Sequence, residues 1–315
     1  MKQFVIFSIL ASSLTATTIN IPADYSTIQE GINASADGDT ILVAPGTYTE
    51  NLILENEIVL ASHAIYDDIE FEFYNNENIN NTVISGIQNG SCLIVRDGDI
   101  QPTILGFTFQ DGTGTSMLIN NDCAQKQERS GGAILIYKAY PTINYNRFMN
   151  NGLTGDTGQN TTNGGAISHF ADDDIEFDED RNHANQSNSN SRDIPEELNI
   201  QNNYFENNSS GDGENFYSHG YDGDIDVSGS IFENIDCNTS SVNSFVLQSI
   251  ENKAIYLQND IIGSCVEENI FHINSVDRND INPGTETEPF STIKHALTMV
   301  KESSPQVTVL HLQSG

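Results

Sequence analysis

One short block of sequence recurs along this chain and limits what the chain can fold into. Each copy has an aliphatic residue, a large apolar residue five positions later, and Asn or Asp two positions after that. The copies are Ile104, Phe109 and Asp111; Ile143, Phe148 and Asn150; Ile200, Phe205 and Asn207; Val227, Phe232 and Asn234; and, more weakly, Leu257 and Ile262. Short blocks separated by variable loops predict a solenoid, in which each unit packs only on its neighbours.

The stretch 131–152 shows what one unit contains. It has two apolar runs separated by a proline, with Asn and Gly at its end and no tight hairpin signal between the runs. Its opening Gly-Gly-Ala-Ile recurs at 164–167. We therefore expect parallel strands that stack unit on unit. We also expect Asn150, Asn207 and Asn234 to stack their amides and to bond to turn backbone.

The charge of the chain restricts its partners. Lys and Arg total 12 against 45 Asp and Glu, which gives a formal net charge of −33 over 315 residues. Such a field repels nucleic acid and anionic lipid, and it suits a solvated acidic surface or the binding of calcium by carboxylates. The hydrophobic share of 37% is low for a compact domain, but it suits the thin core of a solenoid.

The two ends of the chain differ from its middle. Residues 1–16 have one Lys, a short apolar run and small residues, which predicts a secretory signal peptide and no transmembrane span. We assign 17–274 to the solenoid. Residues 275–315 read as a linker followed by a truncated second module, because 289–297 repeats the theme of the stretch that begins at Asp24. We therefore expect a fragment of a longer polypeptide.

A helix is predicted before the first stacked strands. Ser26 and Gln29 have the spacing of a capping box, and Ile28 and Ile32 lie on one helical face. A helix in this place would cover the exposed end of the solenoid core. The segment 40–48 follows it as a strand and a turn.

The same region resembles the opening of right-handed parallel β-helix proteins of the pectin-lyase-like superfamily. The resemblance lies in Ser-Thr-Ile-Gln-Glu-Gly-Ile at 26–32 and Gly-Asp-Thr-Ile-Leu-Val-Ala-Pro-Gly-Thr-Tyr-Thr-Glu-Asn at 38–51. The Gly-Gly-Ala-Ile, Pro-Thr-Ile and Asn-Arg-Phe pieces are similar to the repeats of secreted bacterial members. The resemblance implies an all-β, right-handed parallel β-helix with an N-terminal capping helix and long loop insertions. It implies no single activity, because the superfamily holds lyases, hydrolases, esterases, epimerases and non-catalytic surface proteins.

Two acidic stretches are candidate calcium sites. One lies in the long interruption 171–197, and the other precedes the strand-like residues Ile225 and Val227. The candidate ligands are Asp172, Asp174, Asp178, Asp222, Asp224 and Asp226. An EF-hand loop needs Gly where Val227 stands, so the second stretch also fits a strand whose aspartates point outward. Both readings, a weak cation site and a solvated acidic surface, stay open.

Only weak catalytic candidates are present. Lys138 and His169 stand near the ends of matching strands in the two Gly-Gly-Ala-Ile copies, where Tyr137, Tyr140 and Phe170 could stack on sugars. The alternative is that all five are ordinary residues at a sheet edge. The full motifs of the pectin methylesterases and polygalacturonases that the chain resembles are missing, so the resemblance implies no complete catalytic set.

The four cysteines predict disulfides in an exported protein. Cys92 and Cys123 are separated by about one unit plus a loop, as are Cys237 and Cys265, but three connectivities are possible. A zinc site is not expected because no close Cys or His pair exists.

These observations favour an exported or cell-surface protein that binds, or is displayed on, carbohydrate without catalysis. We expect a monomer. The alternative from another class is a calcium-dependent polysaccharide lyase or hydrolase that acts on acidic glycans, and a purely structural spacer is a third possibility.

Overall fold

The computed structural model describes most of the first three-quarters of the chain and short pieces after it. The described residues are 16–69, 73–121, 124–153, 161, 163–171, 175–177, 194–211, 213–221, 223–227, 229–232, 249–251, 254–256, 270–274, 289–290, 292–293 and 309–312. No helix within these ranges has the length and apolar composition needed to cross a membrane. The predicted signal peptide, except its last residue, lies outside them, as do residues 275–288 of the predicted linker and second module.

Three sheets of mostly parallel strands, which we name A, B and C, form the body of the molecule. Sheet A contains Thr18–Ile21, Thr40–Val43, Val59–Ser62, Thr103–Leu105 and Thr142–Asn144. Sheet B contains Gly46–Thr49, Thr82–Ser85, Thr108–Gln110, Arg147–Met149, Tyr204–Glu206 and Ile231–Phe232. Sheet C contains Leu52–Leu54, Leu93–Ile100, Ile134–Ala139, Ile167–Phe170, Phe216–His219 and Ser249–Glu251, with Ala254–Tyr256 antiparallel at its edge.

The chain passes through these sheets in a fixed order, A then B then C. Each such circuit adds one parallel strand to each sheet beside the strand of the previous circuit. In the later circuits a separate parallel pair, Glu197–Asn199 with Asp224–Asp226, stands before the sheet B strand. This mostly parallel, all-β arrangement is compatible with the predicted β-helix.

The repeated block aligns as the sequence predicts. Phe148 pairs with Phe109 on one side and Phe205 on the other, and Phe205 pairs with Phe232. Their rings form one continuous stack with centroid distances of 5.4, 5.0 and 4.7 Å and interplanar angles of 15° or less. The stack is buried, so each of these four sheet B strands contributes one stacked aromatic ring to the core.

The Gly-Gly-Ala-Ile motif marks the entrance to sheet C. Gly131 and Gly164 have φ of 64° and 60°, a left-handed conformation that glycine adopts without strain. A Cβ on Gly132 would lie 1.9 Å from the carbonyl oxygen of Gly165 in the next circuit. The motif recurs because backbone approaches backbone at this corner.

The predicted amide ladder exists, but it is formed by other asparagines. Asn150 and Asn207 have φ of 56° and 54° and are exposed at the corner between sheets B and C. The buried amides belong to the residues that follow them. Asn151 donates from Nδ2 to the Oδ1 of Asn208, 3.1 Å away. The prediction was wrong by one residue along the chain, because Asn also tolerates the left-handed conformation that a sharp corner requires. Asn234 lies outside the described residues.

A second ladder lies at the corner between sheets A and B. The Oδ1 of Asn146 accepts from the N–H of Phe107 at 3.0 Å, and its Nδ2 donates to the carbonyl of Ile104 at 3.0 Å. The backbone N–H of Asn146 donates to the Oδ1 of Asn203, and the N–H of Asn203 donates to the Oγ of Ser230. These side chains satisfy buried backbone groups that no strand partner reaches.

The N-terminal helix covers the start of the core. It spans Ile28–Ala34, with Ile28 and Ile32 buried as predicted. Its capping box is Thr27 with Glu30, not Ser26 with Gln29. Gln29 serves another purpose: its side chain accepts from the N–H of Ile53 at 2.7 Å and donates to the Ile53 carbonyl at 3.1 Å, so it pairs with the edge strand of sheet C.

Two insertions leave the stack and fold back on it. The first contains 3₁₀ turns at His63–Tyr66 and Phe73–Asn75 and a helix at Glu77–Asn81. It has its own small core of Ala64, Ile69, Phe73 and Ile79.

The second insertion is an antiparallel hairpin that the sequence analysis missed. It pairs Thr115–Asn121 with Ala124–Ser130, and Ile175–Phe177 adds a third strand. The hairpin leaves the circuit between sheets B and C.

Near the C-terminus, Ile270–Ile273 pairs in parallel with Val309–Leu312. Thr18–Ile21 pairs in the same sense with Thr40–Val43 at the start of the chain. The second module itself stays a prediction, because most of 275–315 lies outside the described residues.

Candidate functional site

The outer face of sheet C carries a row of four residues that we name the sheet C stripe. Strand pairing places Arg96 beside Tyr137, Tyr137 beside Phe170, and Phe170 beside His219. Side chains alternate between the two faces of a strand, so these residues share a face while Ile136 and His169 point to the core. The stripe crosses four neighbouring strands at about 4.8 Å per strand.

Lys138 joins the stripe through an irregularity in its strand. The register between sheet C strands shifts between Tyr137 and Ala139, and Lys138 has a φ of 46°. The extra residues belong to the neighbouring strand, because Arg96 and Ile100 are four positions apart and their partners Tyr137 and Ala139 only two. Such bulges redirect neighbouring side chains and are frequent beside functional sites. The Nζ of Lys138 lies 5.5 Å from the centroid of the Tyr137 ring, so a cation stands beside a half-buried aromatic face.

The Arg96 end of the stripe is held by a salt bridge. Its Nε lies 2.8 Å from the Oε1 of Glu55, and the two side chains are 17% and 48% exposed. A pair this close to solvent contributes little to stability. Its effect is to order the guanidinium at the edge of the stripe and to neutralise part of its charge.

The hairpin covers the middle of the outer face. Met117 packs there with Leu135, Phe170 and Tyr217, and Tyr137 borders this cluster. Phe170 is therefore only 1% exposed and offers no ring face to a sugar, contrary to the predicted role. It supports the ring of His219 instead, at a centroid distance of 6.1 Å.

His169 and Tyr140 lie inside the core, not on the surface. His169 is fully buried, with its Nδ1 3.1 Å from the Oγ of Ser218, and its ring contacts those of Tyr140 and Tyr221. Tyr140 is 4% exposed, and burial raises its pKa to about 12, with a smaller contribution from the charge of Asp99. Neither residue can contact a polysaccharide in this arrangement.

Lys138 and His169 are consequently separated by sheet C. His169 is in register with Ile136, which points inward, whereas Lys138 lies over the outward Tyr137. A catalytic pair must reach one reacting group from the same side, so the predicted pairing is not supported by this geometry.

The predicted metal ligands are described only in part. Asp224–Asp226 forms a strand with Ile225 and Val227 buried inward, as the strand reading predicts, and Asp226 accepts from the amide of Gln201. Asp172, Asp174, Asp178 and Asp222 lie outside the described residues, as does the side chain of Asp224. Within the described set, no group of three or more His, Cys, Asp or Glu residues could hold a metal ion. Calcium stays a prediction.

Cys92 is a free thiol in the structure. It is fully buried beside the sheet C entrance, with Sγ 3.3 Å from the carbonyl of Gln110, and burial raises its pKa to about 12. Cys123, Cys237 and Cys265 lie outside the described residues, so the disulfides stay predictions.

Sequence analysis missed His219 as a member of the stripe. The signal was the alternation in Phe-Tyr-Ser-His, which places Tyr217 and His219 on one face of a strand. Comparison with known proteins adds no assignment: no family model matches the chain, and no match is found among curated proteins.

Proposed function

We propose that this protein is an exported or cell-surface right-handed parallel β-helix that binds carbohydrate through the outer face of sheet C and does not cleave it. The fixed order of the three sheets supports the β-helix interpretation, and crossover connections between parallel strands are right-handed in about 98% of known cases. The resemblance of residues 26–51 to pectin-lyase-like openings supports the same reading.

The observation that carries the binding proposal is the pairing of Lys138 with Tyr137 at the bulge. A tyrosine ring offers an apolar face to the C–H groups of a pyranose, and an ammonium beside it donates hydrogen bonds to sugar hydroxyls. Arg96 and His219 extend this surface along the stripe. A glycan chain laid across the strands would therefore meet Arg96 and then Tyr137 with Lys138, before it reaches the part of the face where the hairpin covers Phe170.

Binding without cleavage fits the separation of the two catalytic candidates. His169 is fully buried in the core, on the other side of sheet C from Lys138, so the two cannot act together on one glycosidic bond. Glycoside hydrolysis requires an acid and a second group on the opposite side of the scissile bond.

A glycan array followed by titration of the retained polysaccharides tests the proposal. We expect wild-type protein to retain at least one glycan, and Tyr137→Ala to weaken that binding about fivefold or more through loss of the stacking surface. Lys138→Ala should weaken it as well.

Tyr66→Ala is the matched control, because Tyr66 is 73% exposed on a 3₁₀ turn away from the stripe. Its affinity should equal that of wild type. Equal affinity for Tyr137→Ala and wild type would refute the assigned face, and retention of no glycan would refute the binding function. Release of new reducing or unsaturated ends from pectate or alginate would favour the lyase or hydrolase alternative instead.

A further inference from the structure

A second group of aromatic and cationic side chains lies on the outer face of sheet B. Strand pairing places Arg147 between Thr108 and Tyr204. Tyr74, from the first insertion, stacks on Tyr204 with a centroid distance of 5.9 Å and an interplanar angle of 23°. We name Tyr74, Arg147 and Tyr204 the sheet B platform. All three are partly exposed.

The charge of Arg147 has no acidic partner within the described residues. Its Nη1 donates to the neutral Oδ1 of Asn80 at 2.5 Å, and its guanidinium carbon lies 5.3 Å from the centroid of the Tyr204 ring. Its Nε is buried and meets no acceptor there. Arg96, by comparison, is paired with Glu55. A half-buried cation is normally compensated by an anion. The chain contains 45 Asp and Glu residues, yet none of those that the structure describes pairs with Arg147.

The platform is held rigidly before any ligand arrives. Phe73 packs edge-on against Tyr145 at 5.7 Å, and Ile79 is fully buried, so the insertion that carries Tyr74 and Asn80 is anchored to the sheets. The hydroxyl of Thr108 also donates to the carbonyl of Ile79 at 2.9 Å. Preorganised side chains lose little conformational entropy when a ligand binds.

We propose that the sheet B platform binds an oxyanion-bearing sugar residue, with the guanidinium on the carboxylate or sulfate and the sugar ring against a tyrosine. Guanidinium groups present N–H donors in the fork that matches such oxyanions, and they stack on aromatic faces at the same time. The inference rests on the carbohydrate-binding function proposed above and extends it to a second face and to an acidic ligand class.

Isothermal titration with three probes tests this site: trigalacturonic acid, its methyl ester and a sulfated galactan oligosaccharide. Arg147→Gln should weaken binding of at least one acidic probe about tenfold or more, because a charge-assisted hydrogen bond is lost, and leave the ester unchanged. The carboxylate and sulfate probes identify which oxyanion is preferred. Arg147→Lys keeps the charge but loses the fork, so it should restore only part of the affinity.

Tyr74→Ala supplies a second variant that leaves Arg147 and its bond to Asn80 in place, and it should also weaken the acidic probe. A Tyr137→Ala, Lys138→Ala double variant separates the two faces, since it removes the stripe and should keep the acid-specific component. Acidic affinity that is unchanged in folded Arg147→Gln and Tyr74→Ala, while the stripe variants lose glycan binding, would overturn the platform alone. Equal losses for acid and ester would also overturn it. Failure of wild type to bind any probe or array glycan would overturn both proposals.

Discussion

Replacement of Asn146 by Ala tests the amide ladder at the corner between sheets A and B. The side chain accepts from the N–H of Phe107 and donates to the carbonyl of Ile104, both at 3.0 Å, and both residues are fully buried. The variant leaves the N–H without its acceptor and the carbonyl without this donor. Each buried group that loses its partner costs about 1–3 kcal/mol, so we expect the free energy of unfolding to fall by about 2–6 kcal/mol.

Asn150 provides the control, because it is exposed at a corner with a φ of 56°. Asn150→Gly keeps a residue that tolerates this conformation, so the free energy of unfolding should change by less than about 0.5 kcal/mol. Urea unfolding followed by far-ultraviolet circular dichroism gives both values, and hydrogen exchange at the Phe107 amide reports the local loss. A loss at Asn150 as large as the loss at Asn146 would show that Asn150 also satisfies buried groups, as first predicted from the sequence.

Three further outcomes follow from the core and its edges. Phe148→Ala removes a ring stacked on both sides and should lower the free energy of unfolding by about 3–5 kcal/mol or more. Phe232→Ala, at the 8% exposed end of the stack, should lower it by less. Equal losses in denaturant titrations would contradict the continuous stack. Gln29→Ala removes the side chain that pairs with the N–H and carbonyl of Ile53 on the edge strand of sheet C. Unpaired edge strands associate, so the variant should show concentration-dependent association in analytical ultracentrifugation. Unchanged sedimentation would argue against a role of Gln29 in covering this edge. Burial raises the pKa of Cys92 from 9.0 to about 12, so above pH 9 the thiol ionises in the unfolded protein but not in the folded one. The free energy of unfolding should therefore fall between pH 9 and 12 relative to that of Cys92→Ser. Parallel pH profiles for the two proteins would contradict the buried neutral thiol.

The repeat was readable from the sequence because its spacing is set by the corner between sheets A and B. In the four copies that the structure describes, the aliphatic residue and the Phe five positions later are both buried, so one spacing fixes two core positions. The sequence did not show which residue has which role at the next corner, between sheets B and C. Asn150 and Asn151 are adjacent and identical in type, and only the backbone decides which one turns left-handed and which one enters the ladder.

The burial of His169 and Phe170 could not be predicted for a similar reason. Ile-Ser-His-Phe at 167–170 is buried throughout, so its burial pattern does not show which residues face outward. Pairing with Ile134–Ala139 fixes the phase: His169 follows Ile136 into the core, and Phe170 follows Tyr137 outward. The two Gly-Gly-Ala-Ile copies predict this register, but a strand that is buried on both faces does not show from its sequence which face points to the core.

The insertions, more than the repeat, determine which outward side chains of the sheets are covered and which are exposed. Phe170 faces outward, and it is covered because Met117 of the hairpin packs on it. Tyr74 belongs to the first insertion and completes the platform around Arg147. In a solenoid the repeated residues are used to stack one unit on the next, so they leave a regular and similar outer face on every circuit. If the proposed function holds, specific recognition would come from residues that interrupt the regularity, such as Lys138 beside the register shift and Tyr74 of the first insertion.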